Sequence, residues 1–376
     1  MAEYLPEEVV VQILSRLPAK SVLKFSCVCK LWNRIVKSPD FISTFSSNKH
    51  DSYVFLLHSD SSDYQYSMHL ENKDSHQYPS LHPLSNPASR NLHRYFKVIG
   101  SSNGLICLYF NLGKGLPKFI IWNPSIRKSV HVPPNNLVGP DQLIGFGFGF
   151  DSRTNDYKLL EDGFMYSLNC NSWKKISNIP VENKTKRFWL STPLFVHGRF
   201  HWLAMSEKKN MVLTFDLRDE MFGGIAIPQC LENVGYRHLK IKAFGESSMA
   251  VTHQIGNSRG EHDIRVMKEY WSSEWTKLAA VERVPAWCWK QKVSLVRDSG
   301  EVVLIQFGPY REEPRLVLYN IKNGLMQNVM IMSTKDESIC CFRHVESLAL
   351  FHNNVMMLPT GYNSYQHYDF SLIFEF

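Results

Sequence analysis

From residue 4 to about 45 the apolar positions recur at three- and four-residue spacing. Leu5, Val9, Val10, Ile13, Leu14 and Leu17 make one such series, the pattern of an amphipathic helix. Pro6 stands where a first helical turn tolerates proline, and Glu7 and Glu8 suit the positive end of the helix dipole. Pro18 ends this helix. A second is predicted over Lys20 to Cys27, and a third from about Lys30 to Val36 with Pro39 as its stop. Three short helices in about 40 residues bury too little to stand without a partner or a second domain.

From about residue 50 the period changes. Short runs rich in β-branched and aromatic residues follow one another, divided by Gly, Pro, Asn, Asp and Ser. They include Tyr53 to Leu57, Leu105 to Phe110, Lys118 to Trp122, Met211 to Phe215, Val302 to Phe307 and Leu316 to Tyr319. A repeat runs through them: an apolar strand ends in an aromatic residue or Met, a polar turn follows, and a second apolar or aromatic residue comes several positions later. The first members are Met68, Trp122, Tyr166, Phe215, Met267 and Tyr319, roughly 45 to 55 residues apart. Later members are Trp173, Phe222 and Trp275. This period predicts a mainly β chain whose larger part is a β-propeller-like domain of six or seven blades, in the WD40 or kelch size class. The last strand candidate, Ser371 to Phe376, is predicted to pair with an early strand and close the ring, because an unclosed propeller leaves sheet edges bare.

Composition adds exclusions. With 376 residues, 44% of them hydrophobic and 20% charged, the chain has the make-up of folded domains and the length for two. No window approaches the roughly 18 consecutive apolar residues of a membrane helix, and the first residues lack the basic and apolar regions of a signal peptide. The expected compartment is the cytosol or nucleus, with no membrane partner. The eight cysteines form no C-x-x-C pair and read as reduced thiols. A net charge of +7 permits acidic partners, but the basic residues are scattered and no aromatic-basic RNA motif accompanies them, so nucleic acid is not an expected partner.

Several short stretches carry a fuller signature. Leu5-Pro6-Glu7-Glu8, Ile13-Leu14-Ser15-Arg16-Leu17-Pro18, Lys20-Ser21-Val22-Leu23, Cys27-Val28-Cys29-Lys30-Leu31-Trp32 and Ser38-Pro39-Asp40-Phe41 together resemble a plant F-box, end to end and without a gap. Ser102-Asn103-Gly104-Leu105-Ile106-Cys107, Ile121-Trp122-Asn123-Pro124-Ser125, Phe148-Gly149-Phe150-Asp151 and His197-Gly198-Arg199-Phe200-His201-Trp202 are similar to the F-box-associated domain of large plant families. Within that group Phe41-Ile42-Ser43-Thr44 and Gly100-Ser101-Ser102-Asn103-Gly104 most resemble the S-locus F-box proteins and their S-locus-like relatives.

The resemblance implies an F-box over residues 1–46 and a kelch-like, propeller-type interaction domain over 50–376. It further implies a non-catalytic substrate-recognition subunit of a Skp-cullin-F-box ubiquitin ligase, without cofactor. The F-box would bind a Skp-type adaptor, and through it a cullin-RING ligase, while the larger domain would hold a protein target. The S-locus likeness would make that target a pistil S-ribonuclease in self-incompatibility. The expected adaptor-binding residues are Leu5, Pro6, Ile13, Leu14, Leu17, Pro18, Val22, Leu23, Cys27, Val28 and Trp32, too many apolar groups for three short helices to bury alone. A non-degradative interaction scaffold is the competing expectation. Residues 1–50 hold seven Lys/Arg against four Asp/Glu, which leaves the larger domain basic as well. A basic ribonuclease would meet repulsion there, so a general or S-locus-like F-box role is the safer reading.

Motifs of other chemistries lack their context. Gly100-Ser101-Ser102-Asn103-Gly104 matches a nucleophile elbow, yet a strand-like run follows where a helix is needed, so it reads as a β-turn. Gly145 to Phe150 reads as a strand with small residues on one face. His197 and His201 flank a turn and point apart, and no Glu or Cys completes a metal set. Cys340 and Cys341, adjacent on a strand, face opposite ways. Trp287-Cys288-Trp289 reads as core filling between blades. The polar stretches 59–80, 254–263, 311–315 and 361–368 are where target contacts are expected.

Overall fold

The structure, a computed structural model, describes residues 5–47, 52–60, 63–70, 80–83, 96–110, 119–135, 137, 145–177, 187–188, 193–206, 209–255, 260–267, 269–270, 272, 274–281, 285–309, 312–331 and 339–351. Its first part is helical: α1 (Glu7–Ser15), α2 (Ala19–Phe25), α3 (Lys30–Lys37) and α4 (Pro39–Ser47). Pro6 and Pro18 sit at the N-caps of α1 and α2 with extended backbone, where the missing N–H costs no hydrogen bond. The fourth helix corrects the expected three. Pro39 does not stop the helical unit but opens its last helix, and the Phe41 N–H donates to Ser38 Oγ at 3.2 Å as its cap.

The remaining described residues form antiparallel meanders. The first unit holds β1 (Ser52–Asp60), β2 (Asp63–Leu70) and β3 (Ser80–Pro83); the second β4 (Phe96–Ser102), β5 (Leu105–Phe110), β6 (Phe119–Asn123) and β7 (Lys128–His131). The third is β8 (Phe146–Asp151), β9 (Asp156–Glu161), β10 (Phe164–Ser167) and β11 (Ser172–Lys175). The fourth has a split inner edge, β12 (Arg187–Phe188) and β13 (Leu194–Val196), both paired to β14 (Arg199–Ser206), followed by β15 (Lys209–Asp216) and β16 (Met221–Ala226). The fifth is β17 (Leu239–Phe244), β18 (Ser248–Gln254), β19 (His262–Met267) and β20 (Trp275–Val281). The sixth is β21 (Lys290–Val296), β22 (Glu301–Phe307), β23 (Arg315–Asn320) and β24 (Met326–Ile331), joined to the fifth by one parallel pair, Phe244 with Val296.

β25 (Cys340–Val345) pairs antiparallel with β1, Ser52 opposite Val345 through Leu57 opposite Cys340, and so completes the first unit. Closure therefore uses 340–345; the expected closing strand at 371–376 lies outside the described residues. Inner strands touch in sequence around a ring: β25 and β4, β4 and β8, β8 and β13, β13 and β17, β17 and β21, β21 and β25.

Every first member of the sequence repeat falls on the third strand of its unit: Met68 on β2, Trp122 on β6, Tyr166 on β10, Phe215 on β15, Met267 on β19 and Tyr319 on β23. Their later partners stand directly opposite on the fourth strand, Trp173 beside Tyr166, Phe222 beside Phe215 and Trp275 beside Met267. Two-residue turns with positive φ at both positions, Asn103-Gly104, Asp162-Gly163 and His197-Gly198, join hairpins whose twist requires them. Gly147 and Gly149 on β8 leave room for neighbouring rings: a Cβ at Gly149 would stand 2.4 Å from the Phe195 ring, and one at Gly147 2.9 Å from that of Phe200.

The meander order gives the ring two faces. Turns between the first and second and between the third and fourth strands lie on the near face; second-to-third connections and the links between units lie on the far face. The helical unit packs on the near face. Its core of Val10, Leu14, Ala19, Val22, Ile35, Val36, Phe41 and Phe45 is completed by Ile126 from the β6–β7 turn and by Leu348 after β25, with Phe351 at its margin. The Ala19 N–H donates to Glu346 Oε2 at 3.0 Å in the buried seam, and Lys128 Nζ donates to the Phe351 carbonyl at 2.8 Å. Asn123 Nδ2 donates to the carbonyls of Ser347 and Ala349, both at 2.9 Å, which fixes the segment leaving β25.

Candidate functional site

Packing on the near face leaves one side of the helical unit uncovered. Along α1 two stripes run in parallel: Val10 and Leu14 face the core, while Leu5, Val9 and Ile13 face water at 54%, 37% and 44% exposure. Phe25 and Val28, at 37% and 63%, add to the second set. Phe25 packs edge-on against the half-buried Trp32, ring centroids 5.6 Å apart, so that Trp32 has one side in the core and one at the surface. Arg34 Nη2 donates to Glu7 Oε2 at 2.8 Å and ties α3 to the start of α1. Half of the large hydrophobic side chains that stand exposed among the described residues lie in this one helical segment. A surface of this kind is suited to a partner with an apolar groove.

Of the residues expected to bind an adaptor, Leu5, Pro6, Ile13, Pro18, Cys27 and Val28 are exposed, and Leu17, Leu23 and Trp32 are half-buried. Leu14 and Val22 have no exposure at all. They are corrected to core residues: Leu14 stands one position along α1 from the exposed Ile13, and a turn of about 100° per residue carries it inside, while Val22 lies between the half-buried Ser21 and Leu23. Val9 and Phe25 belong to the exposed set and were missing from the expectation, although Val9 sits four residues from both Leu5 and Ile13.

The far face carries a different chemistry. Lys97 is the second residue of β4, Lys240 and Lys242 are the second and fourth of β17, and Lys292 is the third of β21, all on inner strands. Burial lowers the pKa of Lys97, Lys240 and Lys242, and Lys240 adds to the effect on Lys97 and on Lys242. Cys340, which begins β25, faces the same lysines; Cys341 turns the other way into the cluster of Val303, Ile305 and Leu316. Trp287 and Trp289 lie on the link into β21, also on the far face. The core-filling expectation for this pair is corrected: Cys288 is buried, but Trp289 is exposed under Lys290, and Trp287 is half-buried with the Arg315 guanidinium 4.0 Å from its ring centre. A turn closed by the Cys288 N–H on the Pro285 carbonyl at 2.8 Å precedes β21 and turns the small thiol inward while Trp289 stays at the surface.

The stretches expected to contact a target are shorter than supposed. The 59–80 stretch takes in the end of β1, all of β2 (Asp63–Leu70) and the first residue of β3, and 254–263 runs into β19 at His262. The described part of the mixed-charge stretch before β23 joins a second to a third strand and lies on the far face. The 361–368 stretch is outside the described residues.

Gly100 to Gly104 is the end of β4 and its hairpin turn, as read from sequence. His201 is fully buried: its Nδ1 lies 3.3 Å from the Leu194 carbonyl and its Nε2 2.6 Å from Tyr270 Oη, and burial pushes its pKa down to about 4. His197 occupies the near-face turn and reaches the Ser247 carbonyl. Both histidines thus serve the fold of the fourth unit against the fifth.

Residues 3–44 match the F-box domain family, and residues 43–355 match the F-box associated beta propeller domain family. The chain belongs to the F-box proteins with an associated β-propeller. An F-box/kelch-repeat protein of Arabidopsis thaliana is 24% identical, over 85% of this chain and 88% of that one. The F-box protein CPR1 of the same plant is also 24% identical, over 87% of this chain and 84% of its own length. The helical unit on the near face is accordingly the F-box, and the ring of six meanders is the associated propeller. No helix among the described residues is long and apolar enough to cross a membrane.

Proposed function

We propose that this chain is the substrate-recognition subunit of a Skp-cullin-F-box ubiquitin ligase. The observation that carries the reading is the second stripe of the F-box, Leu5, Val9 and Ile13 with Phe25 and Val28, left exposed after the first stripe has been used against the propeller. A Skp-type adaptor covers that stripe and links the chain to a cullin. The F-box occupies one face of the ring, so the target protein binds the other, where the inter-blade links, Trp289, Trp287 and the lysines of the inner strands lie. The chain makes and breaks no bond itself; it raises the effective concentration of the target beside a charged conjugating enzyme.

The charge of the far mouth favours an acidic target. A basic pistil ribonuclease, the target that the S-locus likeness implies, meets repulsion at Lys97, Lys240, Lys242 and Lys292. A general plant F-box receptor is therefore the preferred form of the reading. The test is a pull-down of the full chain with a plant Skp-type adaptor and cullin. Capture of both supports the ligase subunit; a folded chain that captures no adaptor removes it, and adaptor capture without any effect on target turnover leaves an interaction scaffold.

A further inference from the structure

We propose that the outer edge of the fourth blade, β16, is a dimerisation site at which a second copy of this chain adds its own β16 as an antiparallel strand. β16 ends its sheet, and among the described residues no strand pairs with its outer side. An open edge is a template for another chain, and sheets blunt it with charges, proline or bulges. The other outer strands carry such devices: Pro83 and a register shift on β3, Lys128 on β7, Lys174 and Lys175 on β11, Lys277 and a register shift on β20, and a register shift on β24. β16 has none of them. Its residues, Met221 to Ala226, hold no charge and no proline, and they pair with β15 without a break from Met211–Ala226 to Asp216–Met221.

The strand is also shaped for close approach. Met221, Gly223, Gly224 and Ala226 are exposed, Met221 at 59%. Glycine is required at its centre from the inside: a Cβ at Gly224 would stand 2.4 Å from Met211 Cε, and one at Gly223 2.9 Å from Thr214 Oγ1. The same two glycines leave the main chain there without covering side chains. Contacts from the neighbouring blades meet the strand at its ends, where Lys174 pairs with Glu220 and Trp275 Nε1 donates to the Ala226 carbonyl at 2.9 Å. Self-pairing suits this sequence. In an antiparallel pair whose two-fold axis passes at the glycines, Met221 falls opposite the Ile225 to Ile227 end of the second copy, and Glu220 opposite the uncharged Ala226 to Pro228 end. Apolar groups thus meet apolar groups, and the acidic ends of the two strands lie apart. β16 runs along the rim of the ring, so the F-box face and the far face of both copies stay open, and a dimer holds two adaptor sites and two target sites. One paired edge falls short of the roughly 1,200 Å² of a standard interface, which makes the association weak, in the micromolar range.

Sedimentation equilibrium of the purified full chain, without adaptor, is expected to show a reversible equilibrium between monomer and dimer. Hydrogen exchange on the same samples is expected to slow at the amides of 221–226 as concentration rises. A Met221→Lys, Ala226→Lys double variant sets lysines beside each other across the two-fold axis, at positions that face water in the monomer, and weakens the dimer at least about tenfold. Gln327→Lys, exposed on the outer strand of the sixth blade, leaves it unchanged, and melting curves confirm that each variant is folded. A chain that stays monomeric at every concentration overturns the proposal. So does a dimer that the double variant leaves intact, or one whose formation leaves exchange at 221–226 as it was. The measurement involves no adaptor, so either outcome leaves the ligase reading untouched, and a chain that captures no adaptor still gives a full test of the dimer.

Discussion

Ile13 and Leu14 are neighbours in α1 with opposite surroundings, and this contrast separates recognition from folding. The five exposed apolar side chains of the F-box leave open the surface of a little over two whole side chains. At roughly 1.5–3 kcal/mol for a fully buried aliphatic or aromatic group, an adaptor that covers them gains about 3.5–7 kcal/mol before association costs, and Ile13 supplies about 1 kcal/mol of it. Ile13→Asp removes that share and also forces a carboxylate against an apolar groove, so adaptor affinity falls at least about tenfold. Stability changes by less than about 0.5 kcal/mol, because the residue faces water in the unbound chain. Leu14→Ala does the reverse: it opens a cavity between the F-box helices and Leu348 and costs about 3 kcal/mol. Native-state hydrogen exchange of the α1–α4 amides reads the second effect as a more than hundredfold faster opening, and calorimetry against a Skp-type adaptor reads the first. If Ile13→Asp binds the adaptor as tightly as the native chain, the assignment of the α1 stripe is wrong.

Two further outcomes follow from the propeller. Gly149→Ala places a methyl 2.4 Å from the Phe195 ring and costs about 1–3 kcal/mol by overpacking, whereas Gly198→Ala, with φ +69° and open space around it, costs only the left-handed backbone strain of about 1–2 kcal/mol; thermal melts that rank Gly198→Ala as the more damaging would contradict the packing account. His201 is neutral in the fold with a pKa near 4 against about 6.5 when unfolded, so the unfolded chain binds the proton first and stability drops as pH falls from about 6.5 to 4, by about 3 kcal/mol at the end, with no contribution above 6.5. His201→Gln flattens that part of the denaturation profile measured between pH 7 and 4, and an unchanged slope counts against it.

Much of the architecture was legible because its signals are local. Trp122, Tyr166, Phe215 and Met267, near the ends of their third strands, are buried beside the fourth strand of their blade, and Tyr319 is half-buried opposite Met326. The period therefore survives although the intervening loops vary in length. Turns such as Asn103-Gly104 announce themselves, since only certain residues accept two successive positive φ values. What escaped is what depends on distant chain. Pro39 begins a helix rather than ending the unit, because Phe41 and Phe45 find a core that includes Ile126 and Leu348, over 80 and 300 residues away. Leu14 and Ile13 look alike in sequence, and only the docked propeller decides which stripe is covered.

The seam between F-box and propeller has a mechanical consequence. Ile126, Leu348 and Phe351 complete a core that α1–α4 cannot complete alone, and Glu346 caps the first turn of α2 from the propeller side. The segment 345–351 that supplies most of these contacts also leaves β25, the strand that closes the ring onto β1. Closure of the propeller and seating of the F-box are therefore one structural event, and the two faces are held at a fixed separation by packed side chains instead of a flexible linker. For a protein that acts by holding one partner near another, such rigidity sets the distance between adaptor and target once and for all, which is the condition under which proximity yields a high effective concentration.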